Sequence, residues 1–299
     1  EALNESAKAT VSDHPTPQPD TPTEGEAAAR VSWLRDEIAR HDRLYHQLDA
    51  PEISDAEYDA LFRELKALEA RHPELASADS PTQKVGSAPQ RELFAPAAHS
   101  ARLLSLDNVF DDASRDAWYD RVKRAVGRDV ALVCEPKIDG LSIAVIYERG
   151  RPRRAATRGD GAVGEDVTAN VAAIESLPKK LPVGAPAYLE IRGEVFLFTK
   201  DFRALNEDLL AHGKPAYDNA RNTAAGALRQ KDPRITKERR LAIYLHGVVR
   251  IEGKQFHRYS EAMAYFASLG LPVHPLNRAC PTLADASAFI DQIAATRYS

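Results

Sequence analysis

Two apolar runs flank a hexapeptide that carries charge where a core strand would be expected to end. Asp129-Val130-Ala131-Leu132-Val133-Cys134 leads into Glu135-Pro136-Lys137-Ile138-Asp139-Gly140, and Leu141-Ser142-Ile143-Ala144-Val145-Ile146-Tyr147 follows. This pattern predicts one lysine at the end of a buried strand, beside two carboxylates and a glycine. An ammonium is costly in an apolar setting, which favours the neutral, nucleophilic amine. The spacing Lys-x-Asp-Gly also occurs in ordinary hairpin turns, so the flanking stretches have to decide between the two.

The chain has 299 residues, enough for one large domain or two smaller ones. Its formal net charge of −4 lacks the basic bias of a dedicated nucleic-acid binder, although local basic patches stay open. Two cysteines, Cys134 and Cys280, argue against a disulfide framework and against a four-cysteine zinc site, and suit a reducing cytoplasm. No apolar run approaches membrane-spanning length, so no membrane partner is expected. The first residue, Glu1, is not methionine, and the ends read as those of a fragment.

Residues 1–24, with Pro15, Pro17, Pro19 and Pro22 among polar neighbours, read as a disordered tail. From Glu24 the apolar positions Val31, Leu34, Ile38, Tyr45 and Leu48 follow helical spacing until Pro51. Ser54 with Glu57 forms a capping box for a second helix, with Leu61, Leu65 and Leu68 on its buried stripe and Pro73 at its end. The two make an antiparallel helical hairpin over residues 25–73. Residues 74–299 are expected to form the main domain. There, a helix over about 112–126 buries Trp118, Val122 and Val126. Strands at 130–136, 141–148 and 152–158 read as an antiparallel meander, with further strands at 188–198 and 241–249. Helices are expected near 200–211, capped by Thr199, at 220–230, after a Ser260 cap, and from Thr282 to about 297. Strand runs mixed with helices, without regular βαβ alternation, give an α+β fold.

Three further stretches carry candidate chemistry. Ala156-Thr157-Arg158-Gly159-Asp160-Gly161, followed by Gly164-Glu165-Asp166, combines glycines that permit close backbone approach with a guanidinium suited to phosphate. In Glu190-Ile191-Arg192-Gly193-Glu194 the three charges share one strand face, as in a cleft lining or an exposed sheet. Asn219-Ala220-Arg221-Asn222-Thr223, running on to Arg229, projects two cations about two turns apart on a helix rich in small residues.

In this order, the four stretches resemble the adenylation domain of bacterial NAD-dependent DNA ligases, over about residues 30–297. Lys-x-Asp-Gly is the signature of covalent nucleotidyltransferases. The resemblance implies an N-terminal helical hairpin followed by an ATP-grasp-like, antiparallel-sheet adenylation domain, C-terminally truncated here. It implies that Lys137 is adenylated, that Glu135 contacts the adenine amino group, and that Ser105 and Leu106 line the same pocket. Arg158 and Glu194 would hold ribose and phosphate oxygens, Asp139 would orient the lysine region, and Arg221 and Arg229 would bind phosphates of nucleotide or DNA. His246 falls where many members place an aromatic ring against the adenine. Tyr45, His46, Asp55, Ala56, Glu57, Tyr58 and Asp59 match the family's nicotinamide mononucleotide site. Asp55 and Asp59, four residues apart on one helix, complement a pyridinium cation, and Tyr58 can stack on it.

The implied reaction is the first step of ligation: Lys137 takes AMP from NAD, with Mg2+ (or Mn2+) offsetting phosphate charge. The intact enzyme would then activate the 5′-phosphate of nicked double-stranded DNA. A bacterial, cytoplasmic and nucleoid-associated monomer is expected. Two departures stand out. Asn219-Ala220-Arg221-Asn222-Thr223 replaces the usual Asn-Pro-Arg-Asn-Ala. The sequence ends at Tyr298-Ser299, before the family's Asp-Gly-x-Val-x-Lys strand, its oligonucleotide-binding barrel and its zinc-binding cysteine module. Nick sealing by these residues alone is therefore not expected. An NAD-binding module without transfer activity, and an ATP-using nucleotidyltransferase resembling RNA ligases, are the alternatives.

Overall fold

In the computed structural model, residues 24–46, 52–83, 94–104, 106 and 108–296 are described. The chain divides into two units, one of Glu1–Arg40 with Ile53–Gln83 and the other of His41–Glu52 with Lys84–Ser299.

In the first unit, the part of helix α1 (Glu24–His46) up to Arg40 and helix α2 (Asp55–Arg71) bury Val31, Leu34, Ile38, Leu65 and Leu68 against one another. The capping box at Ser54 is present, with the hydroxyl accepting from Glu57 N–H and the Glu57 carboxylate accepting from Ser54 N–H at 2.8 Å. Leu48 lies outside the described residues. Polar contacts that periodicity does not announce tighten the unit. Glu69, 7% exposed, accepts from Arg35 at 2.6 Å and from the Thr82 hydroxyl at 2.5 Å. Burial weighs against this charge, but hydrogen bonds from Ser80, Thr82 and Arg35 together hold the carboxyl below the usual range.

The second unit begins with strand β1 (Pro96–Ala98) and helix α3 (Asp112–Val126). Helix α3 has the expected bounds but not the expected inner side. Trp118 and Val122 are half-buried, Val126 is exposed, and the buried residue is Tyr119, whose hydroxyl donates to Val130 O at 3.0 Å. Next come strand β2 (Leu132–Cys134), strand β3 (Leu141–Glu148), strand β4 (Arg151–Thr157), strand β5 (Val163–Glu165), helix α4 (Thr168–Ala172) and strand β6 (Tyr188–Phe196). Helix α5 (Thr199–Ala211), helix α6 (Ala220–Leu228), helix α7 (Pro233–Glu238), strand β7 (Ala242–Ile251), helix α8 (Tyr259–Ser268), strand β8 (Arg278–Cys280) and helix α9 (Leu283–Thr296) complete it.

The main sheet has the order β4-β3-β6-β7 with every neighbour antiparallel. Its core face buries Ile143, Val145, Tyr147, Leu189, Ile191, Val195, Ile243 and Leu245, together with Ala224, Ala227 and Leu228 of α6 and Phe266 of α8. Alternation therefore sends Glu190, Arg192 and Glu194 to the opposite face.

The expected three-strand meander is corrected. Only β3 and β4 form it, while β2 pairs with β8, nearly 150 residues later, in the register Leu132↔Cys280 and Cys134↔Arg278. Pro136 has no N–H to give a ladder, and the chain leaves β2 two residues before it. The β2–β8 pair packs on Phe289 and Ala286 of α9 and brings the two thiols together. Burial and contact with Cys280 push the Cys134 thiol up to about 11, so it remains protonated and serves as a packing group. Two caps are corrected as well. Phe198 and Arg258, not Thr199 and Ser260, occupy the N-cap positions of α5 and α8, and neither makes a side-chain cap. Thr282 does cap α9, reciprocally with Asp285.

Candidate active site

Lys137 lies three residues past the end of β2 and is exposed, which corrects the buried setting expected of it. Gly140 fixes the turn that follows. A Cβ there would collide with the backbone carbonyl of Val195 on β6, so only glycine lets the Lys-x-Asp-Gly segment lie against the end of that strand. Glu194 is the neighbour of that carbonyl and faces the other way, toward the lysine.

Around Glu194 of β6 four charged side chains converge: Lys137 and Asp139 from the lysine segment, Arg158 from just past β4 and Arg221 from the first turn of α6. Arg221 Nη1 lies 3.2 Å from Asp139 Oδ1. Burial pushes the Glu194 carboxyl up to about 7, against the opposing pull of Arg221, Lys137 and Arg158. Burial also weighs against the Arg158 charge and the Arg221 cation adds to this, while Glu194 counters it. The site therefore holds two guanidiniums and an amine with two carboxylates, partly desolvated, an arrangement that awaits a polyanion.

Local structure explains the placement of each. Asn219 accepts from Arg221 N–H at 2.7 Å and Asn222 N–H at 3.2 Å, so the asparagine sets the start of α6 without the proline usual in the motif. At the other end of α6, Arg229 Nε donates to Glu165 Oε2 at 2.8 Å, where the glutamate is 1% exposed and also accepts from the Thr157 hydroxyl. This pair ties α6 to β4 and β5, immediately beside Arg158. Gly159, at φ +57°, turns the chain there, and a Cβ would strike the Val163 carbonyl.

A second cluster adjoins the first. Glu135 is half-buried, which raises its carboxyl above the usual range, while a hydrogen bond from the Tyr259 hydroxyl opposes that rise. His246 on β7 stands opposite Arg192 on β6, and burial followed by the Arg192 cation lowers the tendency of its ring to protonate. Arg192 Nη2 donates to Arg102 O at 2.7 Å, and Ser100 Oγ donates to the buried Glu190 at 2.7 Å. These bonds strap residues 100–102 to the charged sheet face. Leu106 is 76% exposed just beyond, and Ser105 lies outside the described residues.

Among the hairpin candidates, Glu57 is occupied by its capping box, which holds its carboxylate below the usual range. Tyr58 is half-buried against Phe62, with ring centroids 6.3 Å apart. Asp59 is half-buried and Ala56 exposed. The side chains of Tyr45, His46 and Asp55 lie outside the described residues.

Sequence reasoning missed Tyr259, Asn277, Glu165 and the bracing role of Arg192. Glu165 and Arg192 stood inside motifs already singled out, where a charge on an otherwise apolar or small-residue stretch was the available signal. Tyr259 and Asn277 gave none, because they meet Glu135 only through the pairing of β2 with a distant strand.

Charges from the lysine segment, β4 and α6 thus gather at Glu194 beside an antiparallel sheet, the arrangement expected of the covalent nucleotidyltransferases that the Lys-x-Asp-Gly stretch resembles. A family model described as NAD-dependent DNA ligase adenylation domain matches residues 91–299, and one described as DNA ligase-like, N-terminal NAD+-binding domain matches residues 24–86. The chain belongs to the NAD-dependent DNA ligase adenylation-domain family, preceded by that NAD+-binding region. It is 47% identical over 279 residues to a DNA ligase of Rhizobium rhizogenes, covering 92% of this chain and 39% of the relative. A DNA ligase of Syntrophobacter fumaroxidans is 45% identical over 283 residues, with 92% and 42% covered. One of Roseiflexus castenholzii is 48% identical over 266 residues, with 84% and 37% covered. The chain thus spans about two fifths of the length of these relatives. No described helix is long and apolar enough to cross a membrane.

Proposed function

We propose that this chain performs the adenylation step of an NAD-dependent DNA ligase, with Lys137 as the nucleophile. The Lys137 amine forms a P–N bond to the α-phosphorus of NAD as the bond to nicotinamide mononucleotide breaks, and the amine loses a proton to solvent. Lys137 is exposed, so the bound nucleotide itself has to exclude water from the amine. Arg158 and Arg221 meet the phosphate charge, Glu194 the ribose hydroxyls, and Asp139 holds Arg221 against the lysine segment. Glu135 receives the adenine amino group and His246 stacks on the ring. Arg229, paired with Glu165, keeps α6 in place and so aims Arg221.

The hairpin over residues 25–73 is proposed to hold the nicotinamide mononucleotide half, through Tyr45, His46, Asp55, Tyr58 and Asp59. Residues 74–299 then form the adenylation domain. Magnesium, with manganese as a substitute, fits as an ion carried on the substrate phosphates. Among the described residues no group of three or more His, Cys, Asp or Glu could hold one, and Mg2+ commonly takes one or two carboxylates plus phosphates and water. Glu194 and Asp139 are the carboxylates beside Lys137, and the ion would neutralise phosphate charge there. In the intact enzyme, AMP passes to the 5′-phosphate of nicked double-stranded DNA, in a monomer of the bacterial cytoplasm associated with the nucleoid.

The observation that carries the reading is the convergence of Lys137, Arg158 and Arg221 on Glu194 from three separate elements. Incubation with NAD or with ATP, each with Mg2+, followed by mass spectrometry of the intact protein tests it. An AMP adduct from NAD alone is expected; an adduct from ATP and none from NAD would overturn the cofactor assignment.

A further inference from the structure

Glu135 sits where three distant segments meet. It follows β2, Asn277 immediately precedes β8, and Tyr259 opens α8. The Tyr259 hydroxyl lies 2.9 Å from both oxygens of the Glu135 carboxylate, and Asn277 Nδ2 donates to Oε1 at 2.5 Å.

The amide of Asn277 has only one workable orientation, because its nitrogen must face the carboxylate. Its Oδ1 is then buried and meets no donor among the described residues. Burying a carbonyl oxygen unpaired is unfavourable, so the placement of this side chain is explained by what its nitrogen does. Burial of Glu135 favours the neutral carboxyl, and the Tyr259 hydrogen bond opposes it. The distinction matters chemically. An ionised carboxylate can only accept, while a protonated one can also donate. Adenine offers an amino group at the position where hypoxanthine carries an oxygen.

We propose that Tyr259 and Asn277 are positioning residues that set the base selectivity of the pocket, by holding Glu135 as a fixed acceptor for a 6-aminopurine and against a 6-oxopurine. The proposal rests on the assignment of Glu135 to the adenine amino group. Two donors anchor the carboxylate from the protein side, leaving lone pairs in one direction for the base. A 6-oxo oxygen placed there would face those lone pairs with no proton between them, and a site built to hydrogen-bond one group rejects the analogue that lacks it.

Calorimetric titration of the 299-residue chain with AMP, IMP and ribose 5-phosphate tests this, in the wild type, Tyr259→Phe, Asn277→Ala and Glu135→Gln. The wild type should prefer AMP to IMP by about tenfold or more, and Tyr259→Phe and Asn277→Ala should each shrink that ratio by at least about threefold. Affinity for ribose 5-phosphate and the melting temperature should hold in both. Glu135→Gln, whose amide can present either atom to the base, should abolish the preference. If both positioning variants keep the wild-type ratio while Glu135→Gln loses it, the proposal fails and the role of Glu135 stands. If Glu135→Gln keeps the ratio, both fail. Equal weakening of all three ligands in Tyr259→Phe and Asn277→Ala would mean general damage and would also overturn the proposal.

Discussion

Arg229→Ala removes the guanidinium that meets a glutamate only 1% exposed. The Glu165 carboxylate would keep the Thr157 hydroxyl, at 3.2 Å, but lose this charged partner at 2.8 Å. Truncating one side of a buried pair costs about 3–5 kcal/mol, because the remaining charge is left in a poorly solvated site. For a unit of this size that is a melting-temperature loss of roughly 6–20 °C. Urea unfolding followed by circular dichroism measures it. The double variant Glu165→Leu with Arg229→Met should recover to within about 1–2 kcal/mol of the wild type, since an apolar pair of similar volume often replaces a buried ion pair at little cost. A wild-type-like Arg229→Ala, or a double variant no more stable than the single one, would refute the structural role of this pair and return Arg229 to the phosphate-binding candidates.

The Glu194 carboxyl, pushed up to about 7 by burial, makes stability pH-dependent in a defined direction. The folded state holds a proton that the unfolded chain has already released, so the contribution is complete below about pH 4.5 and falls by up to about 3 kcal/mol as pH rises through about 7. Glu194→Gln should lack that slope, so that the difference between the two proteins' stability curves displays it between about pH 4.5 and 7. Gly140→Ala drives a methyl into the Val195 carbonyl and should abolish AMP transfer to Lys137 while leaving the hairpin helices intact by hydrogen exchange. Asp55→Ala should weaken NAD-dependent adenylation by about 1.5–3 kcal/mol if its carboxylate meets the pyridinium. Transfer of AMP onward from lysine, measured in the intact enzyme, should change little; equal losses in both steps would point instead to its place at the start of α2.

Much of this fold is legible in the sequence where the signal is local. The Ser54–Glu57 capping box, the stripe of Leu61, Leu65 and Leu68, and the bounds of α3 follow from residues within a turn of one another. The charged face of β6 follows from period-two alternation. What escapes is whatever depends on the choice of partner. Nothing within 130–136 says that β2 pairs with β8 rather than with its neighbour β3, because the apolar pattern is equally compatible with either. The thiol contact and the Glu135 cluster depend on that pairing and were hidden with it. Exposure of Lys137 was misjudged for a related reason. An apolar run before a residue reports on the strand, and the chain here has already left the strand at Pro136. The site was legible to the extent that its members sit in recognisable motifs: Lys137, Asp139, Arg158, Glu194 and Arg221 do, whereas Tyr259 and Asn277 sit in none.

In the proposed reaction Lys137 alone becomes covalently joined to AMP. Peptide mapping by mass spectrometry, after incubating the purified chain with NAD and Mg2+, tests it most directly, with Lys137→Ala run in parallel. One AMP per chain, localised to the peptide containing Lys137, and no adduct in the variant are expected. An adduct on another residue, or one of undiminished yield in Lys137→Ala, would contradict it.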